Sequence, residues 1–167
     1  EPQNYMFRVS MVDREQVALL AAYAVKASKN KKIAIIADST GYGQAGVKDA
    51  AEVLELHGIK PVLIEKFGPK DTDITSQLNK IKNAGADAII IYALADGTAN
   101  VMKSMEKINY FPVALGTWGS LSSIYYRMAG PKLAPNLIVA ASTTEDSNER
   151  TKALGERVRK NYPTMTT

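Results

Sequence analysis

The residues that most resemble a known chemical motif are residues 41–46, GYGQAG, which match the pattern G-x-G-x-x-G. In dinucleotide-binding enzymes such glycines follow a strand and let the backbone approach a pyrophosphate at a helix N-terminus. Glu65 stands roughly 20 positions further on, where such a site takes an acidic residue for the ribose. Residues 38–40, however, separate the preceding apolar run from Gly41, so the loop is too long to turn directly onto a phosphate. We therefore expect the glycines to serve a tight turn and close helix packing, with the ring of Tyr42 displayed beside them.

The sequence offers little else that could perform catalysis or hold a metal. It contains no Cys, which excludes thiol nucleophiles, thiolate metal sites and disulfides, and its one His, His57, precedes Gly58 at a predicted helix end. A single His makes no convincing Ser-His-Asp triad, and no G-x-S-x-G or G-x-x-x-x-G-K-[ST] motif occurs. A response-regulator receiver would need an acidic pair after the first strand, whereas Asp38 is single and Asp96 lies beyond the end of the third. Apart from residues 41–46, the sequence therefore gives little indication of catalysis, and it argues against a Cys- or His-based metal site.

Composition is that of an ordinary globular chain of 167 residues, with 46% hydrophobic and 23% charged residues. The net charge is +4, but the lysines are spread among acidic residues, so no nucleic-acid surface is predicted. No apolar run approaches the roughly 20 residues of a membrane span. Residues 1–4, EPQN, do not begin a signal peptide, and we expect a processed protein or a part of a longer one.

Strand-like and helix-like segments alternate along the chain. Short apolar runs of the buried parallel type predict strands at residues 33–37, 61–67, 88–92, 112–115 and 137–141. Apolar periodicity and end signals predict helices at residues 12–28, 43–56, 74–82, 96–108, 121–128 and 148–162. This order predicts an α/β fold class, a single domain with a doubly wound, parallel five-stranded sheet and helices on both faces.

In such a sheet, ligands bind beyond the carboxyl ends of the strands. That rule selects four polar or glycine-rich stretches, residues 38–43, 93–98, 116–120 and 142–146. We expect a binding site where these loops meet.

Three segments carry a resemblance to a known family. They are IAIIADSTGYGQAG at residues 33–46, DITSQLNKIKNAGAD at residues 73–87, and FPVALGTWGS at residues 111–120. Together they resemble the type I periplasmic binding proteins, and most closely the leucine/isoleucine/valine-binding receptors of branched-chain amino acid ABC transporters. Members have two α/β lobes that trap a solute between them. The resemblance covers the second lobe only and implies that residues 1–167 are a single lobe of a two-lobe solute-binding protein. The chain stops at Tyr162-Pro163-Thr164-Met165, where the family's chain is about to return to the first lobe.

The resemblance also implies which residues contact the solute. The family's tyrosine after the first strand falls on Tyr42 and is retained, whereas its aromatic after the third strand falls near Leu94 and Ala95 and is not. The glutamate that pairs with the ammonium of an amino acid falls on Trp118. Burying an unpaired ammonium is costly, so either a nearby carboxylate replaces this glutamate or the solute has no ammonium. The predicted contact residues are Tyr42, Trp118, Leu94, Ala95, Asp96 and Thr117.

Asp96 and Asp38 are the candidates for the replacement charge, although Asp38 could instead only brace the loop that carries Tyr42. Trp118 favours an apolar or aromatic solute surface. The implied function is the extracytoplasmic solute-binding component of an ABC importer, which binds an amino acid or an organic or aromatic acid. The resemblance thus implies a protein that is not an enzyme and uses no cofactor or metal. Its partners would be the solute, the first lobe and the membrane permease, with no nucleic acid. Two alternatives stay open: a nucleotide-cofactor enzyme that uses residues 41–46, and a ligand-sensing regulatory domain of the same fold.

Overall fold

The computed structural model describes residues 12–163, so the predictions that fall on residues 1–4 and 164–165 lie outside the described residues. The helices are α1 Asp13–Ala27, α2 Gly41–Leu56, α3 Thr75–Asn83, α4 Ala95–Lys107, α5 Ser123–Leu133 and α6 Glu149–Asn161. The strands are β1 Ile33–Asp38, β2 Leu63–Phe67, β3 Ala88–Tyr92, β4 Val113–Gly116 and β5 Leu137–Val139. Short 3-10 helices are Trp118–Ser120, Ala134–Asn136 and Glu145–Ser147.

The strands form one parallel sheet in the order β2-β1-β3-β4-β5, which confirms the predicted fold class. Every residue of β1 and β3 is buried, as the continuous apolar runs of these central strands require. From β1 the chain runs to β2 on one side, and from β2 it crosses to β3 on the other side of β1, so the strand order reverses between β1 and β3. The crevice outside the carboxyl ends of those two strands is where this architecture binds ligands.

Helices cover both faces of the sheet because alternate strand residues point to opposite sides. Ile36 and Ile91 belong to a core shared with α3, α4 and α5, whereas Ile35 and Ile90 belong to a core shared with α1 and α2. Helix α6 is different, since Gly155 is its one buried residue among those described. The two apolar layers hold the carboxyl ends of β1, β3 and β4 in a fixed relation.

Most predicted boundaries differ from the structure by one or two residues, with differences at α2, α5 and β5 among them. Helix α2 begins at Gly41 rather than at residue 43, because the Thr40 side chain caps it by accepting a hydrogen bond from the Gly43 amide. Helix α5 runs from Ser123 to Leu133 rather than from 121 to 128, and it continues through a kink at Gly130, where φ is 76°. Strand β5 ends at Val139, two residues before its predicted end.

The described helices are short: the longest, α2, has 16 residues. None of them combines the length and the apolar content needed to cross a membrane.

Candidate functional site

Three of the four loops selected from the sequence meet at the carboxyl edge of the sheet. The Tyr42 hydroxyl donates a hydrogen bond of 3.0 Å to Thr117 Oγ1, which joins the loop after β1 to the loop after β4. Leu94, after β3, lies against the same place, because a Cβ built on Gly119 would stand 3.3 Å from Leu94 Cδ2 and 3.6 Å from Tyr42 Oη. In the fourth loop, the Glu145 side chain forms an ion pair with Arg159 of α6.

Asp38 braces the loop that presents Tyr42. Its Oδ1 accepts hydrogen bonds from the Thr40 amide, at 2.9 Å, and from the Thr40 hydroxyl, which in turn caps α2. The Asp38 residue is only 6% exposed. Its carboxylate is therefore engaged in holding the start of α2, which is the second of the two roles expected from the sequence.

Two glycines of the GYGQAG motif are required by close packing. A Cβ at Gly43 would overlap the carbonyl oxygen of Asp38 and lie 2.8 Å from its Oδ1. A Cβ at Gly46 would overlap the ring of Tyr92. A Cβ at Gly41 meets nothing within 4 Å, and Gly41 does not have a positive φ, so neither packing nor backbone conformation requires a glycine there. The motif thus brings α2 into close contact with β1 and β3.

The ring of Tyr92, the last residue of β3, packs against the ring of Tyr42. The two rings are tilted by 48° with centroids 4.7 Å apart, and Tyr92 is 1% exposed. Burial raises the pKa of both phenols, and the nearby charge of Asp13 raises both further, while the hydrogen bond to Thr117 lowers that of Tyr42. Both phenols are therefore neutral at physiological pH, so Tyr42 offers a solute an aromatic face and a hydroxyl rather than a charge.

The N-terminus of α1 also belongs to this edge, which sequence analysis missed. Gln16 Oε1 accepts a 2.9 Å hydrogen bond from the Trp118 amide, and Gln16 Nε2 donates one of 3.2 Å to Asp13 Oδ1. Gln16 is fully buried and Asp13 is partly buried. The sequence could have indicated this position, because α1 leads into β1, and a helix that leads into a strand of a parallel sheet begins at the carboxyl edge of that sheet.

The exposed part of this edge is mainly apolar. Trp118 is 44% exposed and Leu94 is 56% exposed, whereas Ala95 is 7% exposed and Thr117 is fully buried. Asp96 is exposed in the first turn of α4. We name this surface the carboxyl-edge surface, formed by Asp13, Tyr42, Leu94, Asp96 and Trp118.

The exposed side chains of the carboxyl-edge surface, those of Leu94, Asp96 and Trp118, face solvent. Four grooves of the described chain are lined by other residues: two lie along α6 beside Leu154, one of them also lined by Thr143 and Glu145 of the fourth loop, and two lie beside Phe111, before β4. Small-molecule sites bury most of their ligand. The carboxyl-edge surface therefore needs a second wall before it can enclose a solute.

Comparison with known proteins adds evidence of a different kind. A family model described as periplasmic binding protein matches residues 1–167. The Leu/Ile/Val-binding protein homolog 3 of Brucella melitensis is 25% identical over 159 residues, which cover 95% of this chain and 43% of that protein. An amino acid binding protein of Pseudomonas aeruginosa is 31% identical over 103 residues, which cover 61% of this chain and 27% of that protein.

A solved structure of a branched chain amino acid ABC transporter from Thermus thermophilus with bound valine matches with a TM-score of 0.78. Its sequence is 22% identical, and the match covers 97% of this chain and 43% of that chain. At 22% sequence identity, this structural similarity establishes the fold alone. The present chain spans less than half the length of each of these three proteins.

Proposed function

The chain belongs to the periplasmic binding protein family, and from that premise we propose that it forms one lobe of a two-lobe receptor that delivers a small solute to an ABC importer. The observation that carries the proposal is the carboxyl-edge surface, which offers aromatic, apolar and acidic groups on one open face. A second lobe would supply the opposite wall, and closure of the two lobes around the solute would create the shape that a permease recognises. The relatives' names support an extracytoplasmic location.

The proposed solutes are small amino acids and organic or aromatic acids. Tyr42 and Trp118 would cover the apolar part of the solute, with Leu94 and Ala95 beside them, and Thr117 would act by holding the Tyr42 hydroxyl. These roles fit the chemistry of the side chains, since tyrosine and tryptophan combine a large apolar face with a polar group.

The charge of the solute depends on the acidic residues of the surface. Burying an ammonium group without a charged or hydrogen-bonding partner costs several kcal/mol of binding free energy. Asp13 is a candidate partner because it is partly buried beside the two tyrosines, and its charge raises their pKa values. Asp96 is the second candidate, although it is exposed. Asp38 is a weaker candidate because its carboxylate is occupied by Thr40.

A dinucleotide enzyme receives no support from residues 41–46. The glycines at 43 and 46 are accounted for by Asp38 and Tyr92, and the Gly43 amide is already bonded to the Thr40 hydroxyl. The geometry therefore favours solute binding over a nucleotide cofactor.

The test is a thermal-shift screen of the full-length protein with leucine, valine, phenylalanine, benzoate, a branched aliphatic acid and NAD. A solute at 100 times its dissociation constant stabilises the protein by about 2.7 kcal/mol, which gives a clear shift. We expect shifts with amino acids or with carboxylic acids, and their loss in Tyr42→Ala but not in the control Tyr126→Ala, which alters an exposed ring of α5. A shift with NAD alone would contradict the receptor proposal.

A further inference from the structure

We infer that Gln16 is a positioning residue of the proposed solute site, which locks the Trp118 loop to the N-terminus of α1. By doing so it would fix the spacing between the Trp118 indole and the Asp13 carboxylate, the aromatic and acidic groups offered to a solute. The importance of this spacing rests on the proposed function. The lock itself is a property of the chain and can be tested without any solute.

The Gln16 carboxamide uses both of its ends. Its oxygen accepts from the Trp118 amide at 2.9 Å, and its nitrogen donates to Asp13 Oδ1 at 3.2 Å. The bond to Trp118 joins residues 102 positions apart. With no exposed surface on Gln16, water cannot replace either partner at little cost. One buried amide therefore connects the acidic and the aromatic residue directly.

Few other side chains could make this connection. Trp118 is the first residue of a 3-10 helix, and amides in a first turn have no acceptor within their own helix. A leucine at position 16 would leave that amide without its acceptor and Asp13 without its donor. A glutamate could accept from Trp118, but it would place a second carboxylate against Asp13. Glutamine satisfies both partners, which neither leucine nor glutamate does.

The same loop is held from two other helices. The Tyr42 hydroxyl of α2 reaches Thr117, and Thr98 of α4 shares a 2.8 Å hydrogen bond with Ser120. Both Thr98 and Ser120 are fully buried. These two bonds fix the ends of the short loop, whereas the bond from Gln16 fixes its centre and is the one that ties it to Asp13. Loss of Gln16 should therefore affect Trp118 selectively.

Two variants test the lock in the ligand-free chain. In Gln16→Leu we expect the Trp118 amide to exchange its hydrogen at least about tenfold faster, because its acceptor is gone, while the Ser120 amide, bonded to Thr117 O, keeps its rate. In Gln16→Glu the acceptor remains, so we expect the Trp118 amide to stay within roughly threefold of wild type. Global destabilisation would change both amides together.

Trp118 provides a second signal because the chain contains one Trp. We expect acrylamide to quench its fluorescence more strongly in Gln16→Leu and to a normal extent in the control Gln77→Leu, which alters a glutamine of α3 that bonds Lys66 O. Unchanged exchange and quenching in Gln16→Leu would overturn the inference. If that variant does not fold, the wild-type chain decides: a Trp118 amide protected from exchange as strongly as the Ser120 amide supports the lock, and an unprotected Trp118 amide overturns it. Failure of the solute screen would leave these results intact and would count against the proposed function alone.

Discussion

The backbone of Gly46 lies directly against the ring of Tyr92, so closely that any Cβ at position 46 would overlap the ring. Tyr92 in turn lies against the ring of Tyr42, with centroids 4.7 Å apart. The absence of a side chain at Gly46 thus lets the Tyr92 ring occupy the position from which it contacts Tyr42. A motif that suggests phosphate binding is used here to pack two aromatic rings against each other.

Substitution of Gly46 should therefore cost stability, and substitution of Gly41 should not. We expect Gly46→Ala to lower the free energy of unfolding by about 1–3 kcal/mol, because the ring of Tyr92 must shift within a packed core. Gly41→Ala is the matched control, since its Cβ meets nothing within 4 Å, and it should be neutral or stabilise by up to about 1 kcal/mol. Urea unfolding of both variants measures the difference. Equal losses in the two variants would contradict the packing argument.

Removal of the Tyr42 hydroxyl should loosen the loop after β4 without disturbing the ring pair. In Tyr42→Phe the hydrogen bond to Thr117 Oγ1 is lost while the contact with Tyr92 remains, and we expect a loss of about 1 kcal/mol in unfolding free energy. Thr117→Val removes the other partner, and the double variant should lose less than the sum of the two single losses. A double-mutant cycle on urea unfolding provides the comparison. Strict additivity would mean that the bond contributes nothing.

The fold was readable from the sequence because its central strands carry an unambiguous signal. Strand β3 was predicted at its observed bounds, since a run of five buried apolar residues fits a strand enclosed on both sides. The start of α2 was misplaced because Gly41 and Tyr42 carry no helix signal. The Thr40 cap that sets this start depends on a side-chain hydrogen bond.

The candidate site was only partly readable. The loops that carry Tyr42, Leu94 and Thr117 were selected from their places after strands, and the residues themselves from the family resemblance; the structure brings them together around Gly119. Gln16 was missed because a glutamine in an amphipathic helix resembles any polar surface residue. Its role arises from a contact with a loop 102 residues away, which no local pattern encodes.

Alkaline pH should destabilise the protein through its buried phenols, and Tyr110 allows a direct test. Burial raises the pKa of Tyr110 to about 12, whereas an unfolded tyrosine titrates near 10. The folded state therefore holds this proton more tightly, and the associated stability is complete below about pH 10 and is lost as the pH rises towards 12. In Tyr110→Phe we expect the free energy of unfolding to fall less steeply over this range. Parallel curves for wild type and variant, followed by urea unfolding, would contradict the prediction.

The preference of the proposed site for solutes with an ammonium group should depend on Asp13. In the full-length protein we expect Asp13→Asn to weaken binding of an amino acid by at least about tenfold, because the ammonium would lose its buried partner. Binding of a carboxylic acid of the same shape without the amine should change little. Asp96→Asn is the matched control, since Asp96 is exposed at the same edge. A larger loss in Asp96→Asn than in Asp13→Asn would assign the role to Asp96.

Trp118→Glu provides the complementary change. A carboxylate at position 118 should improve binding of amino acids relative to their amine-free analogues, because it adds a charge beside the same solute group. The gain should be greater in Asp13→Asn than in wild type, since a second carboxylate near Asp13 would also repel it. Isothermal titration of the four proteins with leucine and with its amine-free analogue separates these effects. An improvement for both ligands alike would mean that removal of the indole, rather than the added charge, is responsible.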